Sequence, residues 1–208
     1  MARKTKEDAL ATRELILDAA ERVFHRRGVS RTTLQEIAQD AGLTRGAIYW
    51  HFENKGELFH AMMERVTLPM MARMTEITPE DAKDPLDKIR RNTVSALQQI
   101  AHDAQVRRVF EIATQKVEYV DELQGMRERH IAGRNECIDD VQGLLLLARE
   151  KGQVHRDTDL RVATLGLFAL IGGLKFNWLL SPRDFDLEAV GMATLDAYLR
   201  GLALSPST

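Results

Sequence analysis

The sequence predicts an all-α protein of about nine helices. Apolar residues recur at three- and four-residue spacing, as in Ile16, Ala20, Val23 and Phe24. Capping residues and glycines punctuate these runs at helical lengths. Strand signals are nearly absent: no Asn-Gly or Asp-Gly pair occurs and no alternation is sustained.

Each helix has a start or a stop signal. Thr5-Lys6-Glu7-Asp8 opens the first, and Gly28 closes it. Thr33-Leu34-Gln35-Glu36 is a capping box for a short second helix, which Gly42 ends. Thr44 caps a third, expected over Arg45–His51, and a fourth runs from Asn54–Lys55 into the 70s. Pro79–Asp84 reads as a break. Asp84-Pro85 restarts a helix to His102, with acid at the cap and proline at the first helical position. Further helices are expected over Ala104–Val117, Val120–Lys151 (stopped by Gly152), Asp157 to Ser181-Pro182, and Leu187–Leu202.

Composition narrows the function. Of 208 residues, 44% are hydrophobic and 29% charged, which suits a buried core and argues against disorder. No uninterrupted run approaches the roughly 18 apolar residues of a bilayer span, and Leu165–Leu174 is broken by three glycines. No apolar stretch follows the basic opening, so no secretory signal is expected. Cys137 is the single cysteine, excluding an internal disulfide and fitting a reducing cytosol. The net charge of −2 is unlike a general nucleic-acid binder. Yet residues 1–55 hold 10 basic and 8 acidic residues, against 19 and 23 in the remainder, so the positive excess is N-terminal.

The segment 29–59 carries the sharpest pattern. Two short helices meet at the tight turn Ala41-Gly42-Leu43. Ile37, Ala38, Leu43, Ile48 and Phe52 are spaced to pack inward, leaving Arg45, Tyr49, Trp50 and His51 outward. A helix-turn-helix presents its second helix to the major groove in this way, and arginine there can bond bidentately to guanine. Thr33, Thr44 and Lys55 lie at helix N-termini, where amides and the helix dipole favour phosphate.

This stretch resembles the signature of TetR-type regulators, most strongly in Ala47-Ile48-Tyr49-Trp50-His51-Phe52 and Lys55. Ala2-Arg3-Lys4-Thr5-Lys6, the run Thr44–Phe52 and Asn177-Trp178-Leu179 resemble the AcrR/TtgR branch, which represses multidrug efflux pumps. Asp84-Pro85-Leu86, Arg107-Arg108 before Glu111-Ile112, and Phe185-Asp186-Leu187 extend the likeness over nearly the whole chain. The resemblance implies a DNA-binding domain over 1–54 and a helical ligand-binding and dimerisation domain over 55–208. It implies a dimeric repressor in a bacterial cytoplasm, on a palindromic operator, released by a small apolar or aromatic molecule. Arg45, Gly46 and Ala47 would face bases. Tyr49, His51, Lys55, Thr33 and Thr44 would hold phosphates, with Trp50 at the groove edge.

The likeness also implies an apolar effector cavity. Its lining would be Val66, Met70, Thr93, Ala96, Leu97, Phe110, Thr114, Arg134, Cys137, Val141, Phe168, Ile171 and Phe176. The branch often has histidines or acids on the fourth helix and near Gly172. Thr67, Met70 and Gly172 stand there in this chain, which implies a pocket that does not select cations by charge. Met62, Met63, Met70, Met71 and Met74 suit either an adaptable pocket or gap-filling core. Arg134 is either a ligand contact or an ion-pair partner. A ligand that wedges the fourth helix, from Lys55 to Val66 and Met70, would swing the DNA-binding domain off its two grooves.

The last two helices are expected to form a homodimer. Ala169, Gly172 and Gly173 make a small-residue strip for close helix approach, or else a kink within one subunit. Leu165 and Phe176 flank the strip, and Val190, Leu195, Leu199 and Leu202 supply an apolar face on the final helix.

Other classes fit less well. No nucleotide loop, dinucleotide fingerprint or Gly-x-Ser-x-Gly occurs, and no metal or cofactor is expected. Cys137 has no histidine at a helical neighbour position. Regulation of a metabolic or stress operon, by repression or activation, is the alternative within the family. A helical protein-interaction module is the alternative outside it.

Overall fold

The computed structural model describes residues 6–118 and 124–203, without the side chains of Met74, Gln124 and Met126. The basic opening, the Thr5 cap, the helix start near Val120 and the side chain of Met74 thus lie outside the described residues. Among the described residues there are ten helices: α1 Lys6–Arg27, α2 Leu34–Asp40, α3 Arg45–Tyr49, α4 Lys55–Thr75, α5 Pro79–Lys83, α6 Pro85–His102, α7 Ala104–Gln115, α8 Gln124–Glu150, α9 Leu160–Leu180 and α10 Leu187–Ala203.

The tenth helix is α5, where the sequence reads as a break. Thr78 caps it reciprocally with Asp81, and Pro79 occupies its first turn, where the missing N–H costs nothing. The proline therefore starts a helix there. The third helix is two residues shorter than expected, ending at Tyr49.

The chain divides into two compact units. One takes the chain up to Thr67 with Arg108–Ile131; the other takes Leu68–Arg107 with Ala132 onward. The first unit extends past the domain limit of 54 expected from the sequence, because the start of α4 and the end of α7 belong to it.

In the first unit α1 is the central rod. It buries Ile16, Leu17, Ala20, Val23 and Phe24 on one face. The Phe24 ring meets Phe59 of α4 edge-on, centroids 6.1 Å apart. Gly28 ends α1 at φ +82°, and the next amide, Val29, leaves the helix to donate to the Lys116 carbonyl at 2.9 Å. α2 ends in a Schellman turn at Gly42, φ +66°. There the Leu43 amide donates to Ala38 and the Gly42 amide to Gln39.

Charges tie these helices together. Arg22 and Arg26, four apart on α1, both donate to the carboxylate of Asp40 at the end of α2. Their bonds, Arg26 first, hold that carboxyl below its ordinary range. The buried Glu21 of α1 accepts from Arg65 of α4 at 2.9 Å and from Arg108 of α7 at 2.8 Å. Arg65 also reaches Glu14 and Asp18, so three carboxylates surround it.

The second unit packs α6, the later part of α8, α9 and α10 around one core. Ile89, Val141, Leu144, Leu145, Leu160, Leu167 and Leu195 are buried in it. Gly191 lets α10 approach α6 closely; a Cβ there would collide with Leu97. Gly166 makes room for the Tyr198 hydroxyl, which donates to the Ala163 carbonyl at 2.6 Å. A buried ion pair fixes α5: Lys88 lies 3.2 Å from Asp81 and also donates to the carbonyls of Arg73 and Glu76. The Thr78 amide and hydroxyl, then Lys88, pull the Asp81 carboxyl from 3.8 to about 2.

By length and apolar composition α9 meets the criterion for a membrane span, although its uninterrupted apolar runs are short. The buried core helix of a soluble protein passes the same test. α9 is instead two-faced. Leu160, Ala163, Thr164, Leu167, Trp178 and Leu179 are buried, whereas Val162, Leu165, Phe176 and Leu180 are exposed. The helix continues through Gly172 and Gly173 without a break. On α10, Leu195 and Leu199 belong to the unit's own core and Leu202 packs against it. That corrects the expected pairing face for these three leucines; of the four residues expected there, Val190 is exposed, as is Met192.

Candidate functional site

The short helix α3 is anchored from beneath and open above. Ile48 is fully buried and Phe52 nearly so, with the Arg13 guanidinium over the Phe52 ring at 5.2 Å. Thr44 caps the helix, its hydroxyl accepting from the Ala47 amide at 3.3 Å. With the apolar side chains turned in, Arg45, Gly46, Tyr49 and Trp50 are exposed, and Ala47 and His51 are half-buried. Trp50 has 85% of its surface accessible. The Arg45 guanidinium donates to the Tyr49 hydroxyl at 2.8 Å and lies 5.3 Å from that ring's centroid. One helical turn separates the two residues, so they share a face.

The second helix supplies the neighbouring cap. The exposed Thr33 hydroxyl accepts from the Glu36 amide and donates to the Glu36 carboxylate. The Thr33 amide donates to the same carboxylate at 2.8 Å. That amide, then the hydroxyl, then Arg27, hold the Glu36 carboxyl below its ordinary range.

Lys55 is differently placed from the other expected phosphate contacts. Its side chain is turned inward, and its ammonium donates to the carbonyls of Ser30 and Thr32, both at 3.0 Å. The Arg22/Arg26–Asp40 clamp was not singled out from the sequence. Two arginines four apart on one helix signal a shared partner, but Asp40 becomes that partner only in three dimensions.

The expected effector residues fall in both units. In the first, Val66 is buried and Phe110 and Thr114 are half-buried. The Thr114 hydroxyl donates to the Phe110 carbonyl one turn back, which spends it within its own helix. In the second, Val141 is buried in the core, and Phe168 and Ile171 are partly buried against that core. Leu97 is buried under Gly191. Met70, Thr93, Ala96 and Cys137 are half-buried. Burial, then the charges of Asp140 and Glu136, push the Cys137 thiol up, away from a reactive thiolate. Arg134 is exposed and donates to its neighbour Asn135 at 3.1 Å. Phe176 stands with Val162, Leu165 and Leu180 on the exposed stripe of α9, apart from the Val141 group.

Two clefts open elsewhere. One of about 280 Å³ lies in the first unit beside Arg26, Arg27, Arg31 and Lys116. An open one of about 780 Å³ lies in the second beside Arg73, Gln98, His102 and Glu188. None of the expected effector residues lines either. Among the described residues, no group of three or more histidines, cysteines or acids is arranged to hold a metal.

Two family models match successive stretches of the chain. Residues 16–62 match the model of bacterial regulatory proteins of the tetR family. Residues 84–204 match the C-terminal region of MAATS-type transcriptional repressors. The chain is 39% identical over 209 residues to the HTH-type transcriptional regulator TtgR of Pseudomonas putida, covering 100% of this chain and 99% of that one. It is similar to NalD, the secondary repressor of the MexAB-OprM multidrug efflux pump in Pseudomonas aeruginosa. That likeness has a TM-score of 0.82 and 34% identity over 96% of this chain and 100% of NalD. It is also similar to SmeT of Stenotrophomonas maltophilia in complex with triclosan, with a TM-score of 0.83 and 34% identity over 94% and 93% of the two chains.

Proposed function

The chain belongs to the TetR family of bacterial regulatory proteins, and from that premise we propose that it represses a multidrug efflux operon and is released by a small apolar or aromatic effector. Members of the family are DNA-binding regulators of transcription, not enzymes. The observation that carries the DNA reading is the outer face of α3, where Arg45, Tyr49 and Trp50 stand exposed over the buried Ile48 and Phe52.

In this reading Arg45 contacts base edges in the major groove, and Gly46 and Ala47 let the backbone come close. Tyr49, His51, Thr33, Thr44 and the start of α4 at Lys55 hold phosphates, and Trp50 lies at the groove edge. A five-residue helix offers little contact area, so two copies act together on a palindromic operator. Their recognition helices must sit about 34–36 Å apart, or a multiple of that. The exposed stripe of α9, Val162, Leu165, Phe176 and Leu180, supports pairing through that helix with α10. The site of action is the cytoplasm, where operator DNA is.

The efflux assignment rests on NalD and SmeT, each described as a repressor of a multidrug efflux pump. The effector reading rests on the apolar group Val141, Phe168 and Ile171. An effector releases DNA only by preferring the arrangement that cannot bind it; equal affinity for both shifts nothing.

Fluorescence anisotropy tests the reading directly. The purified protein is titrated against a labelled duplex from the intergenic DNA beside its own gene, with a scrambled duplex as control. Saturable binding about a thousandfold tighter than the control is expected, with release by triclosan or related apolar compounds. Equal binding to both duplexes, falling steeply with salt, would sink the operator assignment.

A further inference from the structure

We infer that Lys55 serves DNA recognition as a positioning residue, its ammonium fixing the loop between α1 and α2 instead of neutralising a phosphate. The inference rests on the operator-binding reading above and assigns one residue of that surface a different task.

The ammonium is built into the loop. Lys55 has only 8% of its surface exposed. Its Nζ donates to the Ser30 and Thr32 carbonyls, two acceptors that no helix or sheet satisfies. A cation in the first turn of a helix opposes the helix dipole, and a buried one also loses its hydration. Both penalties are offset only while the carbonyls stay in place. The arrangement therefore holds the loop as firmly as the loop holds the lysine.

Other polar atoms of the same short segment are bonded as well. The Thr32 hydroxyl donates to the Gly28 carbonyl at 2.7 Å, and the Thr32 amide to the Val29 carbonyl at 3.3 Å. The Ser30 hydroxyl donates to the Glu118 carbonyl at 3.2 Å, and the Val29 amide to the Lys116 carbonyl. Lys55 is the one side chain of α4 among these bonds, and it grips the residues just before Thr33. Thr33 is the cap of α2. The lysine thus sets where α2 begins relative to α4, and α2 carries α3 through the Gly42 turn.

Two measurements decide. The first uses the intact, DNA-free protein and acetylation of lysine amines read by mass spectrometry. Lys55 is expected to stay unmodified while Lys83, whose side chain is 73% exposed, is fully labelled. Labelling of Lys55 as fast as Lys83 overturns the inference, whatever the protein does with DNA. The second uses Lys55→Met, checked for helical content, on the intergenic duplex across a salt series. Binding is expected to weaken about tenfold or more, with the slope of log K on log salt unchanged. A slope shallower by about 1.8 for the dimer, one counterion of about 0.9 lost per protomer, means that the ammonium sits on a phosphate, and the inference fails. Failure of the wild-type protein to bind any duplex selectively removes the operator reading, while the acetylation result still stands for the loop.

Discussion

Arg45 and Tyr49 are joined on the outer face of α3, guanidinium to hydroxyl at 2.8 Å, with the cation 5.3 Å from the ring centroid. The phenol holds the arginine upright from a helix only five residues long. A long flexible side chain is thereby pre-set before it meets DNA, which lowers the ordering cost of the contact.

Arg45→Ala is expected to weaken operator binding by about 1–3 kcal/mol per half-site and to relax preference at one base pair in each half-site. Tyr49→Phe keeps the ring and removes the hydrogen bond, so a smaller loss of about 0.5–1.5 kcal/mol is expected. Anisotropy against duplexes substituted one base pair at a time separates the two. A uniform loss at every base pair for Arg45→Ala would assign it to phosphate.

Gly42 and Gly46 give opposite expectations for the same substitution. Gly42 holds φ +66° with open space where a Cβ would go, so Gly42→Ala strains only the backbone. A fall in stability of about 1–2 kcal/mol is expected on thermal or urea unfolding. Gly46 lies inside α3 with helical backbone, and alanine there is expected to hold or raise stability. Its methyl group faces the proposed DNA surface, so any penalty should appear in operator affinity alone.

Asp81 predicts an acid limit. Its folded pKa of about 2 lies below the ordinary 3.8 because Thr78 and Lys88 bond the carboxylate. A depressed carboxyl contributes stability above its unfolded value, and that contribution fades as pH falls from about 4 toward 2. Asp81→Asn should flatten the dependence of unfolding free energy on pH within that window. An unchanged profile would mean that the carboxylate is not tied in solution.

Leu165→Glu combined with Phe176→Glu is expected to yield a folded monomer at micromolar concentration. Sedimentation velocity reads the assembly and circular dichroism the fold. Both side chains are over 40% exposed in the single chain, Leu165 at 43% and Phe176 at 44%, so the charges should not disturb its core. A double variant that stays dimeric moves the pairing surface away from α9.

Phe168→Ala tests the effector group. Loss of this half-buried ring costs stability, up to about 3–5 kcal/mol for a fully buried phenylalanine. The informative readout is therefore the triclosan concentration that half-releases the duplex, measured on folded protein. An unchanged midpoint would place the effector away from Phe168, Val141 and Ile171.

Much of the molecule was legible in local sequence. The Thr33–Glu36 box, the Gly42 turn, the Thr44 cap, the Asp84-Pro85 restart and the Gly152 stop all act within a few residues of themselves. So does the burial of Ile48 and Phe52, which leaves Arg45, Tyr49 and Trp50 outside. α5 escaped because a proline stops one helix and starts another with equal ease. The Thr78 cap three residues before Asp81 was the signal that settles it.

The rest depended on which partner each face meets. Apolar residues on α9 and α10 share one helical period, and that period fixes a stripe without saying what covers it. Packing against α6 and α8 drew Leu195 and Leu199 into the core and left Leu165 and Phe176 outside. Lys55 shows the same limit for charge. A lysine at a helix start reads as a phosphate contact until the loop from Ser30 to Thr32 is seen to supply its acceptors. Local sequence therefore determined where helices begin, end and turn, because caps and positive φ are short-range effects. Tertiary structure decided which side chains are spent inside the protein, because only packing brings residues 25 positions apart within hydrogen-bond reach.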